Sequence, residues 1–266
     1  MILAVDIGNT NIKVGAWDDS ELVFVGRLQT NAFKTQDEYA INLLDILRLN
    51  ECNFSQFDGA IISSVVPQLS QPFRAAVSAV LRTQRVYLVG PGLKTGLDIK
   101  IDNPATLGAD MVCCAVSAAE KYPMPCIIVS MGTATAIFAM DENAVFLGGA
   151  VAPGVMVSLE ALVGQTAQLP HIGLDEPCEL IGTNTVDCMI SGSVYGTAAM
   201  LDGMLARMKE TLGPNTTVVA TGGIAQHIVR HCRENILLDD TMVLDGLRII
   251  YKKNARLFSQ ENRGGR

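Results

Sequence analysis

Apolar residues in this chain gather in short runs that stop at glycine-containing turns, and the first stretch sets the pattern. Ile2 to Val5 is continuously apolar, the run breaks at Asp6-Ile7-Gly8-Asn9-Thr10, and apolar positions return from Ile12 to Trp17. This predicts a buried strand, a tight turn and a second strand. A polar turn, Asp18-Asp19-Ser20, leads to a third strand over 22–28. The period then changes. Tyr39, Leu43, Leu44 and Leu47 recur at helical spacing and predict a helix over 35–49. A strand running into a turn over 59–67, a helix over 69–82, a strand over 86–90 and a helix over 108–122 follow.

The opening design then begins again. Ile127 to Val129 is apolar, Ser130-Met131-Gly132-Thr133-Ala134 interrupts, and apolar character resumes to Met140. With a constant offset of 124 positions, Asp6 meets Ser130, Gly8 meets Gly132, Asn9 meets Thr133 and Thr10 meets Ala134. A polar turn, Asp141-Glu142-Asn143, again precedes a third strand, over 144–148. A long helix over 185–212 carries small residues at Gly192, Gly196 and Ala199. A strand over 217–223 ends in Gly222-Gly223, a helix covers 224–233, and a last helix covers 244–258. Because polar and glycine positions agree as well as apolar ones, the pattern reads as a structural duplication. It predicts two similar α/β domains, 1–115 and 116–266, with a cleft between them.

Composition narrows the field. The chain has 266 residues, 49% of them hydrophobic, and a formal net charge of -7. An acidic protein whose 20 lysines and arginines are scattered, apart from Lys252-Lys253 and the run from Arg263 to Arg266, is not expected to bind nucleic acid or an anionic membrane. The uncharged stretch 122–140 contains Pro123, Pro125 and Gly132, which suits strand-turn-strand and not a membrane span. Seven cysteines without a CxxC pair read as reduced thiols of a cytoplasmic protein, and no secretory signal is expected. His227 and His231, followed by Cys232, have the i,i+4 spacing of a zinc pair, but no partner cluster lies within reach in sequence, so an amphipathic or solvent-facing helix is expected.

Asp6-x-Gly-Asn-Thr offers a carboxylate, a tight turn and short polar side chains. That combination suits polyphosphate binding: amides and hydroxyls donate to phosphate oxygens, and Asp6 can hold magnesium. Lys13 adds a positive charge. The turn Gly132 to Thr135 offers a second set of donors, and Gly222-Gly223 leaves room for a flat group such as adenine.

On these residues the chain resembles the acetate and sugar kinase, Hsc70 and actin superfamily, and within it type III pantothenate kinases. The resemblance is carried by DIGNTNIKVG, ISSVVP, DNPATLGAD, GTAT, the stretch from Leu147 to Pro170, IGTNT and VVATGGIA, which run in order from residue 6 to about 226. It implies two duplicated actin-like, ribonuclease H-like domains and ATP-dependent phosphorylation of the primary hydroxyl of pantothenate. ATP contacts would come from Asp6, Gly8, Asn9, Thr10, Lys13, Thr133, Gly222 and Gly223, with Asp6 on magnesium. Asp110 would be the general base, beside Gly108 and Ala109. Thr185 would reach the substrate, with the site completed across a homodimer.

Three positions depart from the family pattern. Ser130 stands where an aspartate usually helps hold a potassium or ammonium ion. Met111 stands where an arginine usually borders the acceptor site, and Ile101 where a tyrosine usually precedes Asp-Asn-Pro. These departures leave three readings open: a pantothenate kinase whose site compensates, a kinase for another small alcohol, or a nucleotide-binding regulatory protein with little turnover.

Overall fold

A computed structural model of the chain describes residues 1–174 and 179–261, so the basic run from Arg263 to Arg266 lies outside the described residues. The elements begin with β1 (Ile2–Ile7), β2 (Asn11–Asp18), β3 (Glu21–Gln29), α1 (Gln36–Leu49), β4 (Gly59–Ser64), α2 (Pro67–Leu81), β5 (Val86–Leu88) and α3 (Ala109–Lys121). They continue with β6 (Cys126–Met131), β7 (Ala134–Met140), β8 (Phe146–Pro153), α4 (Val155–Gly164), α5 (Thr185–Leu212), β9 (Thr217–Thr221), α6 (Ala225–Val229), β10 (Leu237–Leu238) and α7 (Met242–Glu261).

The chain forms two compact units. The first holds Met1–Leu97, Asn103–Ser117 and α7; the second holds Asp98–Asp102 and Ala118–Thr241. The units therefore differ from a single division at 115/116. Helix α7 buries Leu244, Leu247 and Ile250 and packs on β1 and β4. Its Gly246 admits close contact with α3, since a β-carbon there would lie 2.0 Å from the Cys113 carbonyl oxygen. The segment 98–102 goes the other way because Ile99 bridges Phe146 of β8.

Each unit carries a five-stranded sheet, in the orders β3-β2-β1-β4-β5 and β8-β7-β6-β9-β10. The two orders match strand for strand. In both, the central strand runs antiparallel to its successor and parallel to the strand on its other side. The expected duplication is thus present in the topology, with one correction in register. Ile7 pairs with Ile12, whereas Met131 pairs with Thr135, so the second turn is one residue shorter. Lys13 consequently corresponds to Ala136, the residue that faces Ser130 as Lys13 faces Asp6. Even the irregularity is repeated: the ladder shifts at Ala16/Trp17 and at Ala139/Met140, equivalent places once the shorter turn is allowed for.

Alternation along the central strands separates two faces. Leu3, Val5 and Ile7 join Leu43, Leu47, Phe73 and Val77 in the first core, and Ile127, Val129 and Met131 join Leu159, Ile190, Val194 and Leu201 in the second. Local signals start the helices. Thr35 and Glu38 form a reciprocal capping box on α1, and Asn184 caps α5 by accepting the Asp187 N–H at 3.0 Å. Four elements depart from the sequence reading. The strand expected over 144–148 starts at Phe146 because Ala144 occupies the turn with φ +59, and it extends to Pro153. The helix expected over 224–233 is only α6, which leaves His231 beyond its end. Helix α4 and strand β10 had no counterpart in the pattern. No helix among the described residues is long and apolar enough to cross a membrane.

Candidate active site

In the first unit, Asp6 sits near the end of β1, directly before the turn that leads to β2. That turn is tied down from the end of β3: Thr30 Oγ1 donates to the Gly8 carbonyl at 2.7 Å and Thr30 N–H donates to the Thr10 carbonyl at 2.9 Å. The Gly8 N–H donates to the Asn11 carbonyl at 3.0 Å. Its amide is thus committed inside the turn, and Asn9 and Thr10 form the exposed tip. Lys13 faces Asp6 across the ladder.

Asp6 as a whole is partly exposed, but its Oδ1 is shut off from solvent and has no hydrogen-bond partner. Burial pushes its carboxyl up from 3.8 to about 6, and the nearby Asp110 charge adds to the rise. Lys13 pulls it down, as does Ser63, the smallest of the four influences, although Ser63 Oγ closes no hydrogen bond. One carboxylate beside a phosphate-type turn is what magnesium uses when substrate phosphates and water complete its shell. The buried charge of Asp6, with Oδ1 short of any hydrogen bond, is compensated when the carboxylate holds such an ion. No cluster of three His, Cys, Asp or Glu side chains that could hold a metal ion occurs among the described residues.

Asp110 lies in the first turn of α3, in the same unit. Burial raises its carboxyl, and the Met111 N–H, donating to Oδ1 at 2.8 Å, works against that rise. Gly108 precedes it, and Ala109 opens the helix. Met111, at 6% exposed, is a core residue rather than a surface contact. Cys113 lies beneath both carboxylates: its fully buried thiol is pushed up by burial first, then by Asp6, Cys114 and Asp110. Ser63 has no role assigned from the sequence, because a buried serine in a strand looks like ordinary core.

The second unit places the remaining candidates. Thr133 is exposed at the tip of the β6–β7 turn, and its carbonyl accepts the Gly154 N–H at 3.0 Å. Gly154 is required there, since a β-carbon would lie 2.4 Å from both the Gly132 and Thr133 carbonyl oxygens. Ser130 takes the place of Asp6 on β6 and supplies a neutral oxygen. The residues at this end of β6 do not fit a carboxylate-based site for a monovalent cation. Gly222 has φ +108, and a β-carbon on it would lie 2.2 Å from the Met131 carbonyl oxygen, so its glycine is demanded by the backbone. Gly223 faces open space. Ile101 packs 3.5 Å from where a Gly148 β-carbon would stand. Thr185, the first residue of α5, is exposed and lines a groove of about 930 Å³ between α4 and α5, with Val155, Leu162, Gly192 and Gly196.

Two copies of one five-stranded sheet, each with a glycine turn after its central strand, define an actin-like fold of the kinase superfamily. A solved structure of the activator of the 2-hydroxyisocaproyl-CoA dehydratase from Clostridium difficile with bound ADPNP has the same fold, with a TM-score of 0.56 at 12% identity over 98% of this chain and 97% of that one. Residues 2–207 match the type III pantothenate kinase family. A type III pantothenate kinase from Exiguobacterium sibiricum is 43% identical over 96% of this chain and 100% of its own length. One from Halalkalibacterium halodurans is 41% identical, again over 96% of this chain and 100% of its own. The chain belongs to the type III pantothenate kinase family, and is a phosphotransferase.

Proposed function

We propose that the protein transfers the γ-phosphoryl group of ATP to the primary hydroxyl of pantothenate, forming 4'-phosphopantothenate, the first step of coenzyme A biosynthesis. The observation that carries this reading is the pairing of Asp6 and Asp110 in one unit, close enough that the charge of one raises the carboxyl of the other. Asp110 accepts the hydroxyl proton as the alcohol oxygen bonds to the γ-phosphorus and the bond to the departing ADP oxygen breaks. A carboxyl raised by burial is a stronger base than an ordinary one. Asp6 holds magnesium, which supplies charge neutralisation on the phosphates. Asn9, Thr10 and Lys13 position the phosphates. Gly108 and Ala109 border the acceptor.

The same reading makes the protein a cytoplasmic homodimer. The groove between α4 and α5 supports it, with the exposed apolar residues Val151 and Leu162 and the small residues Gly192 and Gly196 open to a second copy. Light scattering at micromolar concentration tests this, and a monomer would contradict it. The reaction itself is tested by ADP release from ATP and magnesium with and without pantothenate. Release that depends on pantothenate is expected. Nucleotide binding without such release would favour a non-catalytic protein.

A further inference from the structure

Ser63 is fully buried on β4, and its Oγ has no hydrogen-bond partner. Asp6 Oδ1 is likewise buried and unpartnered. The two residues are register partners in the parallel β1–β4 ladder. Val5 and Ile62, the pair before them, both point into the core under α1 and α2. By alternation Asp6 and Ser63 point together to the opposite face. A donor and an acceptor are therefore left side by side, each lacking the partner that buried polar groups nearly always have. Packing alone gives no reason for a hydroxyl at the end of Ala60-Ile61-Ile62, where an alanine would fill the space without a polar group to satisfy. A serine hydroxyl turns freely about its own bonds and can donate to either neighbour. The Cys113 thiol, on the same side, is the weaker acceptor.

We propose that Ser63 is a positioning residue for metal binding: with magnesium and nucleotide bound, its hydroxyl donates to Asp6 Oδ1 and leaves the other carboxylate oxygen to the metal. This rests on the reading of Asp6 as the magnesium ligand. Groups that orient a metal ligand commonly change metal affinity by about 10–100-fold when removed. They do so without touching the substrate.

The test is calorimetric binding of ADP to the full chain, with and without magnesium, for the wild type, Ser63→Ala, Ser63→Thr and Ser117→Ala. Ser117 is a second buried, unpartnered hydroxyl, outside the site, and controls for general loss of such a group. Ser63→Ala is expected to weaken magnesium-dependent ADP binding by about 10-fold. It should raise the magnesium concentration at half-saturation by a similar factor and leave metal-free ADP binding unchanged. Ser63→Thr, which keeps the hydroxyl, should stay within about threefold of wild type, and Ser117→Ala should match it. Wild-type-like magnesium dependence in Ser63→Ala would overturn the proposal, as would equal loss of binding with and without metal. If the wild type shows the expected magnesium dependence but does not phosphorylate pantothenate, the acceptor assignment fails and the role of Ser63 stands. If ADP binding by the wild type ignores magnesium, both fail.

Discussion

A β-carbon on Gly108 would lie 2.5 Å from Oδ1 of Asp110. The glycine therefore sets where that carboxylate rests, two residues ahead of it. The clash in Gly108→Ala falls on the far end of a side chain, so relief needs only a rotation of Asp110 and not a backbone shift. The rotation breaks the 2.8 Å bond from the Met111 N–H. Gly108→Ala is expected to unfold within a few degrees of wild type while its kcat falls by about 10²-fold, the usual consequence of misplacing a catalytic group by an ångström. A melting curve and steady-state kinetics check both halves. An unchanged kcat would mean that Asp110 is not held by this contact.

Asp6 makes the metal-free protein less stable at neutral pH. Its carboxyl titrates at about 6 when folded against 3.8 in the open chain. The cost of burying its charge is therefore fully present above about pH 6. It declines as pH falls from 6 towards 3.8 and is absent below that. Asp6→Asn removes the charge and is expected to be more stable than wild type at pH 7.5, by roughly 2–3 kcal/mol, on the order of 1.4 kcal/mol per pKa unit. The difference should vanish near pH 3.5. Urea unfolding without magnesium at the two pH values measures it. A less stable variant at pH 7.5 would show that another group compensates the charge.

Ser130 removes the negative charge from the second copy of the turn. Turnover is expected to be equal in potassium, ammonium and sodium buffers, because a single neutral oxygen discriminates poorly among these ions. Ser130→Asp should introduce a preference for potassium or ammonium. A wild-type protein that works only in potassium would mean that other oxygens form the cation site unaided.

Much of this architecture was legible in the chain. Gly8 and Gly132, with the apolar runs before them, marked both copies of the central hairpin, since buried strands and tight turns leave strong local signals. The one-residue difference between the turns was not legible, because a constant offset cannot register a shorter loop and the apolar alternation of β2 and β7 survives a slip. The return of α7 to the first unit depends on Gly246 meeting Cys113, a contact between residues distant in sequence. Within the site, Asp6 and Lys13 stood out as charges at a patterned turn, whereas Asp110 was marked only by the resemblance to the family. Gly222 was read as room for adenine, yet its positive φ and its closeness to Met131 are conditions of the sheet itself. Ser63 lay inside the ISSVVP motif with no role of its own, since only the register of β1 against β4 places it beside Asp6.

Asp110→Asn compared with wild type tests the central claim most directly. The two would be measured for pantothenate-dependent ADP formation and for ADP affinity in magnesium. The asparagine keeps the size of the side chain and cannot take up a proton. Turnover is expected to fall at least about 10²-fold, the usual contribution of a general base, with ADP affinity unchanged. Turnover close to wild type in Asp110→Asn would contradict the assignment of Asp110 as the base and the phosphoryl-transfer mechanism built on it.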